Sequence, residues 1–156
     1  MLPVLTDLNQ RIIQSASADL HSSGSMTDKD LNPAPTGLSR QILTDLNSRE
    51  QFAQLFQNNP GLLVIKFGAT WCGPCKKIEG LVHEWFDKMP DTVQCMTVDV
   101  DDCFEVYAFL KSKKMVNGIP AILCYEKGNV NYIPNDVVIG ADNGEIDKFF
   151  NRCLSK

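Results

Sequence analysis

The feature that most constrains this fold is a pair of cysteines, Cys72 and Cys75, between a buried strand and a helix. The run LLVI at 62–65, followed by Phe67, is almost continuously apolar, as expected of a strand covered on both faces. Apolar residues then recur at helical spacing: Ile78, Leu81, Val82, Trp85 and Phe86. A lone Cys-X-X-Cys also arises in zinc sites or by chance, but at a strand-to-helix junction it indicates a redox dithiol.

Placement at the start of a helix gives the two thiols different predicted roles. Cys72 faces the unpaired N–H groups of the first turn and the positive end of the helix dipole, which favour its thiolate. Because the thiolate is the nucleophile, Cys72 is predicted to attack. Cys75 lies within one helical turn and is predicted to resolve the mixed disulfide. Pro74 is tolerated between them because it has no N–H to lose.

From residue 41 onwards the chain alternates between strand and helix patterns. Ser48 and Gln51 form a capping box for a first helix that should end near Pro60. Further helices are predicted at 72–89, 103–113 and 145–154, and strands at 42–46, 62–67, 93–100, 120–126 and 137–139. The last two strands should be antiparallel around a turn at 127–129. This order predicts an α/β fold with a mixed sheet between helical layers.

Residues 1–40 differ in character from the rest. A short amphipathic helix is predicted after Pro3, and the Ser-, Asp-, Gly- and Pro-rich stretch 14–39 is predicted to be a flexible linker. The segment VLTDLN at 4–9 resembles ILTDLN at 42–47. Two interpretations remain open: coincidence, or an extension that imitates the first strand and pairs with a neighbouring copy.

Composition excludes several classes of function. Of 156 residues, 44% are apolar and 22% charged, and the net charge of −4 comes without a concentrated basic patch. We therefore expect no nucleic-acid partner and no membrane association. The first residues lack the features of a secretory signal or transit peptide, and six cysteines then suggest a reducing compartment. The expected location is cytoplasmic.

Four motifs carry a resemblance to a known family. They are FGATWCGPCK at 67–76, VDVDDC at 98–103, GIP at 118–120, and GA at 140–141. In this order they resemble the thioredoxins, and the second motif resembles those of eukaryotic cytosol. The resemblance implies a thioredoxin fold, a three-layer α/β/α arrangement with a central mixed sheet, over residues 41–156. Residues 1–40 form an N-terminal extension outside it.

The same resemblance implies a substrate groove beside the dithiol. Ile119–Pro120 should be a cis peptide packed near Cys72, leaving the backbone of Ile119 free to pair with an extended substrate. The docking surface would comprise Val116 to Ile119 together with Trp71, Gly73, Pro74, Pro120, Gly140 and Ala141.

The implied activity is reduction of disulfides in protein substrates. Electrons would come from a thioredoxin reductase, because the sequence has no nucleotide-binding fingerprint. The redox-active group would be the Cys72–Cys75 disulfide, with no cofactor and no metal, in a chain that acts as a monomer. The alternative is a binding module that docks a partner protein in the same groove with little turnover.

Three features depart from the family pattern. Lys66 stands where relatives usually carry a buried Asp, six residues before the first cysteine. We predict that its ammonium modulates the thiols, while the alternative is a side chain that reaches solvent or pairs with an acid. About four extra residues precede Pro120, and the segment 128–140 is longer than usual, with Pro134 suited to a bulge or sheet edge.

Other chemistry-bearing residues have simpler interpretations. Cys103 opens a helix and is either a reactive thiolate or a half-buried structural thiol, whereas Cys95 and Cys124 should be core residues and Cys153 should be exposed. His83 lies eleven positions beyond Cys72 on the same helix, too far to be its base. With one close cysteine pair and two histidines, a zinc or iron–sulfur site is not expected. Residues 99–102 match no calcium loop and should be a solvated strand end.

Overall fold

The computed structural model describes residues 41–156, so the helix, the linker and segment 4–9 predicted in the first forty residues lie outside the described part. The elements, in chain order, are α1 (Arg49–Gln57), β1 (Leu62–Gly68), α2 (Gly73–Lys77), α3 (Glu79–Lys88), β2 (Val93–Asp99), α4 (Phe104–Ser112), β3 (Ala121–Glu126), β4 (Asp136–Ile139) and α5 (Asn143–Leu154). Apart from the two differences given below, the predicted elements are confirmed within a few residues.

The four strands form one mixed sheet in the order β2-β1-β3-β4. Strand β1 pairs in parallel with β2, with Gly68 opposite Asp99, and antiparallel with β3, with Phe67 opposite Ala121. Strand β4 is antiparallel to β3 at the edge. The central position of β1 explains its sequence, because all seven of its residues are buried.

Helices cover both faces of the sheet. Alternate residues of β1, Leu63, Ile65 and Phe67, join a cluster with residues of α1 and α4, while Val64 joins a cluster with residues of α3 and α5. In the second cluster Trp85 stacks on Phe150, with ring centroids 5.3 Å apart, and its indole N–H donates to Asp147 at 2.8 Å. These two cores give the three-layer α/β/α architecture expected of a thioredoxin fold.

The start of α1 shows how a local signal sets a helix boundary. Ser48 is the N-cap, and its hydroxyl accepts a hydrogen bond from the Gln51 N–H at 3.1 Å. The Gln51 side chain in turn accepts from the N–H of Asn47 at 2.6 Å. The capping box predicted from the sequence is therefore present, with its return bond one residue earlier than the standard pattern.

The predicted strand at 42–46 is wrong. Only Leu43 bridges β2, where its N–H donates to the Cys95 carbonyl at 3.1 Å and its carbonyl accepts from Thr97 at 2.9 Å. Leu43 and Leu46, three residues apart, both pack on the same hydrophobic cluster. A strand points alternate residues to opposite faces, so this spacing is incompatible with a continued strand.

The single helix predicted at 72–89 is also wrong, because it is divided at Ile78. Residue Ile78 leaves helical geometry at φ −101° and ψ 2°, and its N–H bonds to the carbonyl of Lys76. Helical pairing resumes when the Val82 N–H donates to the carbonyl of Ile78 at 2.9 Å. The cysteine pair therefore sits on a separate short helix, α2.

A network of asparagines shapes the long connection between β3 and β4. The Asn129 amide donates to the carbonyl of Ile133 at 3.0 Å and to the side chain of Asn135 at 2.7 Å. Pro134 lies in this loop, outside the ladder and two residues before the edge strand begins at Asp136. None of the helices found in residues 41–156 has the length and apolarity needed to cross a membrane.

Candidate active site

Cys72 and Cys75 are joined by a disulfide, with Cα atoms 5.2 Å apart. Cys72 is the N-cap of α2, and the backbone N–H of Cys75 donates to its sulfur at 3.1 Å. Pro74 occupies the first turn, where no N–H is needed. A backbone donor aimed at Cys72 stabilises negative charge on that sulfur, so the arrangement favours a thiolate there when the pair is reduced.

The loop that joins β1 to α2 is held by carboxylates at the end of β2. Asp99 accepts from the Thr70 N–H at 3.1 Å, and Asp101 accepts from the indole N–H of Trp71 at 2.8 Å. Trp71 nevertheless remains 66% exposed beside the disulfide. The sequence predicted a solvated strand end here and did not predict that these acids position the loop. The available signal was their place at the end of the strand predicted to lie next to β1.

The third part of the site is the loop before β3. The Ile119–Pro120 peptide is cis, as the resemblance implied. Because Phe67 pairs with Ala121, Pro120 lies at the same end of the sheet as the cysteine loop. The Gly140 N–H donates to the Pro120 carbonyl at 2.8 Å, and Gly140 has a φ of +106°. Within residues 41–156 the backbone N–H and carbonyl of Ile119 have no hydrogen-bond partner.

The remaining predicted groove residues lie at the edges of this arrangement. Gly73 and Pro74 are exposed at the start of α2, and Ala141 is half-buried next to Gly140. Val116 is buried in the core cluster rather than presented at the surface.

A cavity of about 440 Å³ lies behind the disulfide. Its lining includes Lys66, Cys75, Glu79 and Thr97. Lys66 is only 6% exposed, and burial lowers the pKa of its ammonium while the carboxylate of Glu79 opposes that change. The hydroxyl of Thr97 is buried without a hydrogen-bond partner in the described part of the chain. A positive side chain thus borders the second cysteine from inside the protein.

The other four cysteines are buried and are not disulfide-bonded. Burial, together with the carboxylates of Asp99 and Asp102, raises the pKa of Cys103 to about 12, which opposes a thiolate despite its place at the start of α4. Cys95 is in the core, as predicted, whereas the prediction that Cys153 is exposed is wrong. It faces inward because it continues the spacing of the buried residues Ile146, Phe149 and Phe150 on α5.

His83 is exposed on α3, on the far side of the break from Cys72. Among the described residues no three His, Cys, Asp or Glu side chains are grouped as metal ligands would be.

A dithiol that caps a helix after a central strand, beside a cis-proline loop, defines a class of thiol–disulfide oxidoreductases. The family model described as Thioredoxin matches residues 44–152. A thioredoxin of Mus musculus is 40% identical over 84 residues, covering 53% of this chain and 75% of the relative. Thioredoxin H7 of Arabidopsis thaliana is 32% identical over 137 residues, covering 86% and 91%.

Solved structures agree with the sequence comparisons. A thioredoxin of Trichomonas vaginalis superimposes with a TM-score of 0.58 at 25% identity, covering 72% of this chain and 96% of that one. One from Malassezia sympodialis gives 0.54 at 30% identity, covering 72% and 91%. The chain belongs to the thioredoxin family, and it is a thioredoxin-type disulfide oxidoreductase.

Proposed function

We propose that this protein reduces disulfide bonds in protein substrates by dithiol exchange, with Cys72 as the attacking thiol and Cys75 as the resolving thiol. The observation that supports this order is the hydrogen bond from the Cys75 N–H to the Cys72 sulfur at 3.1 Å. It favours charge on the sulfur at the helix start, which belongs to the more exposed of the two cysteines, at 5% against 3%.

The exchange proceeds in two displacements. The Cys72 thiolate attacks one substrate sulfur, breaking the substrate disulfide and releasing the other sulfur as a thiolate. Cys75, after losing its proton, then attacks the Cys72 sulfur of the mixed disulfide. The substrate leaves as a dithiol, and its two electrons have come from the pair, which ends as the Cys72–Cys75 disulfide. No cofactor is needed for either step.

Substrate docking would use the surface around the disulfide. The free backbone groups of Ile119 suit pairing with an extended peptide, and the exposed ring of Trp71 supplies an apolar contact beside the scissile bond. The hydrogen bond from Gly140 to Pro120 fixes the opposite side of this groove. Gly73, Pro74 and Ala141 complete its rim.

Recycling would require a thioredoxin reductase, the electron donor that the family uses. We place the protein in a reducing compartment such as the cytoplasm, acting as a monomer. The four buried cysteines outside the active site, none of them disulfide-bonded, support such a compartment.

The test is a trapping experiment with two single variants. Cys75→Ser should accumulate mixed disulfides through Cys72, because attack persists while resolution is lost. Cys72→Ser should abolish reduction of a protein disulfide such as insulin in the presence of a reductase system. Substantial turnover by Cys72→Ser would contradict the assignment of the nucleophile. If the wild-type chain binds substrate proteins but does not turn them over, the alternative of a binding module is correct.

A further inference from the structure

Two thiols lie together in the core, away from the site that the proposed function uses. Cys124 is in the middle of β3 and Cys153 in the last turn of α5, and they are 0% and 1% exposed. Both belong to the hydrophobic cluster between the sheet and α5. The Cys153 thiol is also the largest cause of a raised pKa of the Cys124 thiol, as expected of two side chains that are neighbours in this cluster.

Neighbouring contacts hold Cys153 over Cys124. Asp136 is the cross-strand partner of Cys124. Arg152, the residue before Cys153, donates to both carboxylate oxygens of Asp136, at 2.7 and 3.0 Å. On the other side Lys156 pairs with Glu126 at 3.0 Å. Two ion pairs therefore link the C-terminal residues to β3 and β4 on either side of the two thiols.

The two thiols differ in access. A surface cavity of about 260 Å³ is lined by Cys153 together with Pro90, Thr92 and Lys156, whereas Cys124 is not part of its wall. The neighbouring Cys153 thiol, followed by burial, raises the pKa of the Cys124 thiol, which favours its protonated form. A small molecule that enters the cavity meets Cys153 first, and a protein substrate is too large to enter it.

We propose that Cys124 and Cys153 form a second redox couple, which small hydroperoxides oxidise to an intramolecular disulfide through this cavity. The Cys153 sulfur attacks hydrogen peroxide and breaks the O–O bond, giving a sulfenic acid and one water. The Cys124 thiol displaces the hydroxyl group of that sulfenic acid, releasing a second water as the sulfur–sulfur bond forms. Two electrons from the two thiols reduce one peroxide, and their two protons leave in the waters.

Formation of this bond would join the C-terminal helix covalently to the central sheet. A cross-link that closes a long loop restricts the unfolded chain, so the oxidised protein should have a higher Tm. The couple does not depend on the Cys72–Cys75 reaction, and it can therefore be tested while that pair remains a disulfide.

The experiment uses the full-length wild-type chain in its Cys72–Cys75 disulfide form, treated with hydrogen peroxide. The remaining thiols are then alkylated under denaturing conditions, and tryptic peptides are analysed by mass spectrometry. We expect the number of alkylated cysteines to fall from four to two per chain, with peptide 115–127 linked to peptide 153–156. A Cys95→Ala variant, which alters another buried thiol, should give the same cross-link.

The order of attack is tested separately. In Cys124→Ala, or in Cys124→Ser if the smaller side chain prevents folding, a sulfenic-acid trap should label Cys153. In Cys153→Ala, Cys124 should stay unlabelled at the same peroxide dose. The proposal would be overturned if the wild type retained all four thiols, or if Cys153 became a sulfinic acid without a cross-link. Labelling of Cys124 in Cys153→Ala would overturn the order of attack.

Discussion

Replacement of the buried Lys66 by methionine tests whether its ammonium modulates the dithiol. The substitution keeps most of the apolar stem and removes one positive charge from the cavity behind Cys75. A Cβ placed on Gly68 would lie 3.4 Å from the Cys75 sulfur and 3.9 Å from the Lys66 Cε. The Nζ charge, one bond beyond Cε, is therefore within about 9 Å of the sulfur, where an effective dielectric constant of about 20 gives roughly 2 kcal/mol of attraction for a thiolate.

Glu79 reduces this effect, since its carboxylate lines the same cavity and opposes the ammonium. With about half of the attraction remaining, Lys66→Met should raise the pKa of the reduced dithiol by about one. The reduced form is then less favoured, and the potential should become more negative by up to about 30 mV. This change should grow with pH, because the charge acts only on the thiolate form.

Stability should change in the opposite sense to that expected for a lost ion pair. Burial lowers the pKa of Lys66 in the folded protein, so carrying the charge costs folding free energy below that pKa. Lys66→Met should therefore raise the Tm at neutral pH. The gain should disappear as the pH rises through the folded pKa to the unfolded lysine value of about 10.4.

The measurements are thiolate absorbance against pH, the potential in a defined redox buffer, and the Tm between neutral and alkaline pH. Lys77→Met is the matched control, because it removes the same charge from an exposed position of α2. If Lys66→Met and Lys77→Met give the same thiol pKa and the same potential, Lys66 does not modulate the dithiol. A lower Tm for Lys66→Met at neutral pH would contradict the argument from burial.

Three further predictions use the same assays. Glu79→Gln should lower the thiol pKa, the reverse of the effect of removing Lys66, because it removes the opposing charge; a rise in the thiol pKa would contradict this. Gly140→Ala should lower the free energy of unfolding by roughly 1 kcal/mol or more, because the φ of +106° at this position strains any residue with a Cβ. The Tm should fall by several degrees. Gly118→Ala, with open space around its Cβ, is the control, and equal losses in both would refute the reasoning. Deletion of 1–38 should leave the Tm and the rate of disulfide reduction nearly unchanged, because the family match begins at residue 44, and a large fall in Tm would show otherwise.

Local signals in the sequence predicted the central parts of the fold. The unbroken apolar run of β1 and the capping box at Ser48 depend on neighbouring residues alone, and both are present in the structure. The dithiol at the strand-to-helix junction was likewise predicted from neighbouring residues alone. Such features can be inferred without knowing what the chain packs against.

Contacts between distant residues account for the errors. Asp99 and Asp101 hold the active-site loop from 29 and 30 residues away, and their sequence shows only an acidic strand end. The region at 42–46 has strand-forming residues, but its two leucines turn to one face of the sheet. Cys153 could have been predicted to be buried, because the inward spacing of α5 includes it; its nearness to the C-terminus misled the prediction.

The two tryptophans lie in different surroundings, so the intrinsic fluorescence of the protein can report both its redox state and its unfolding. Trp71 faces water beside the disulfide, while Trp85 is stacked on Phe150 in the core. Fluorescence changes on reduction should therefore arise from Trp71, whose neighbour is the bond that breaks. The shift of emission to longer wavelength on unfolding should arise from Trp85, because Trp71 is already solvated. A Trp71→Phe chain would follow folding alone, and a Trp85→Phe chain would follow the redox state alone.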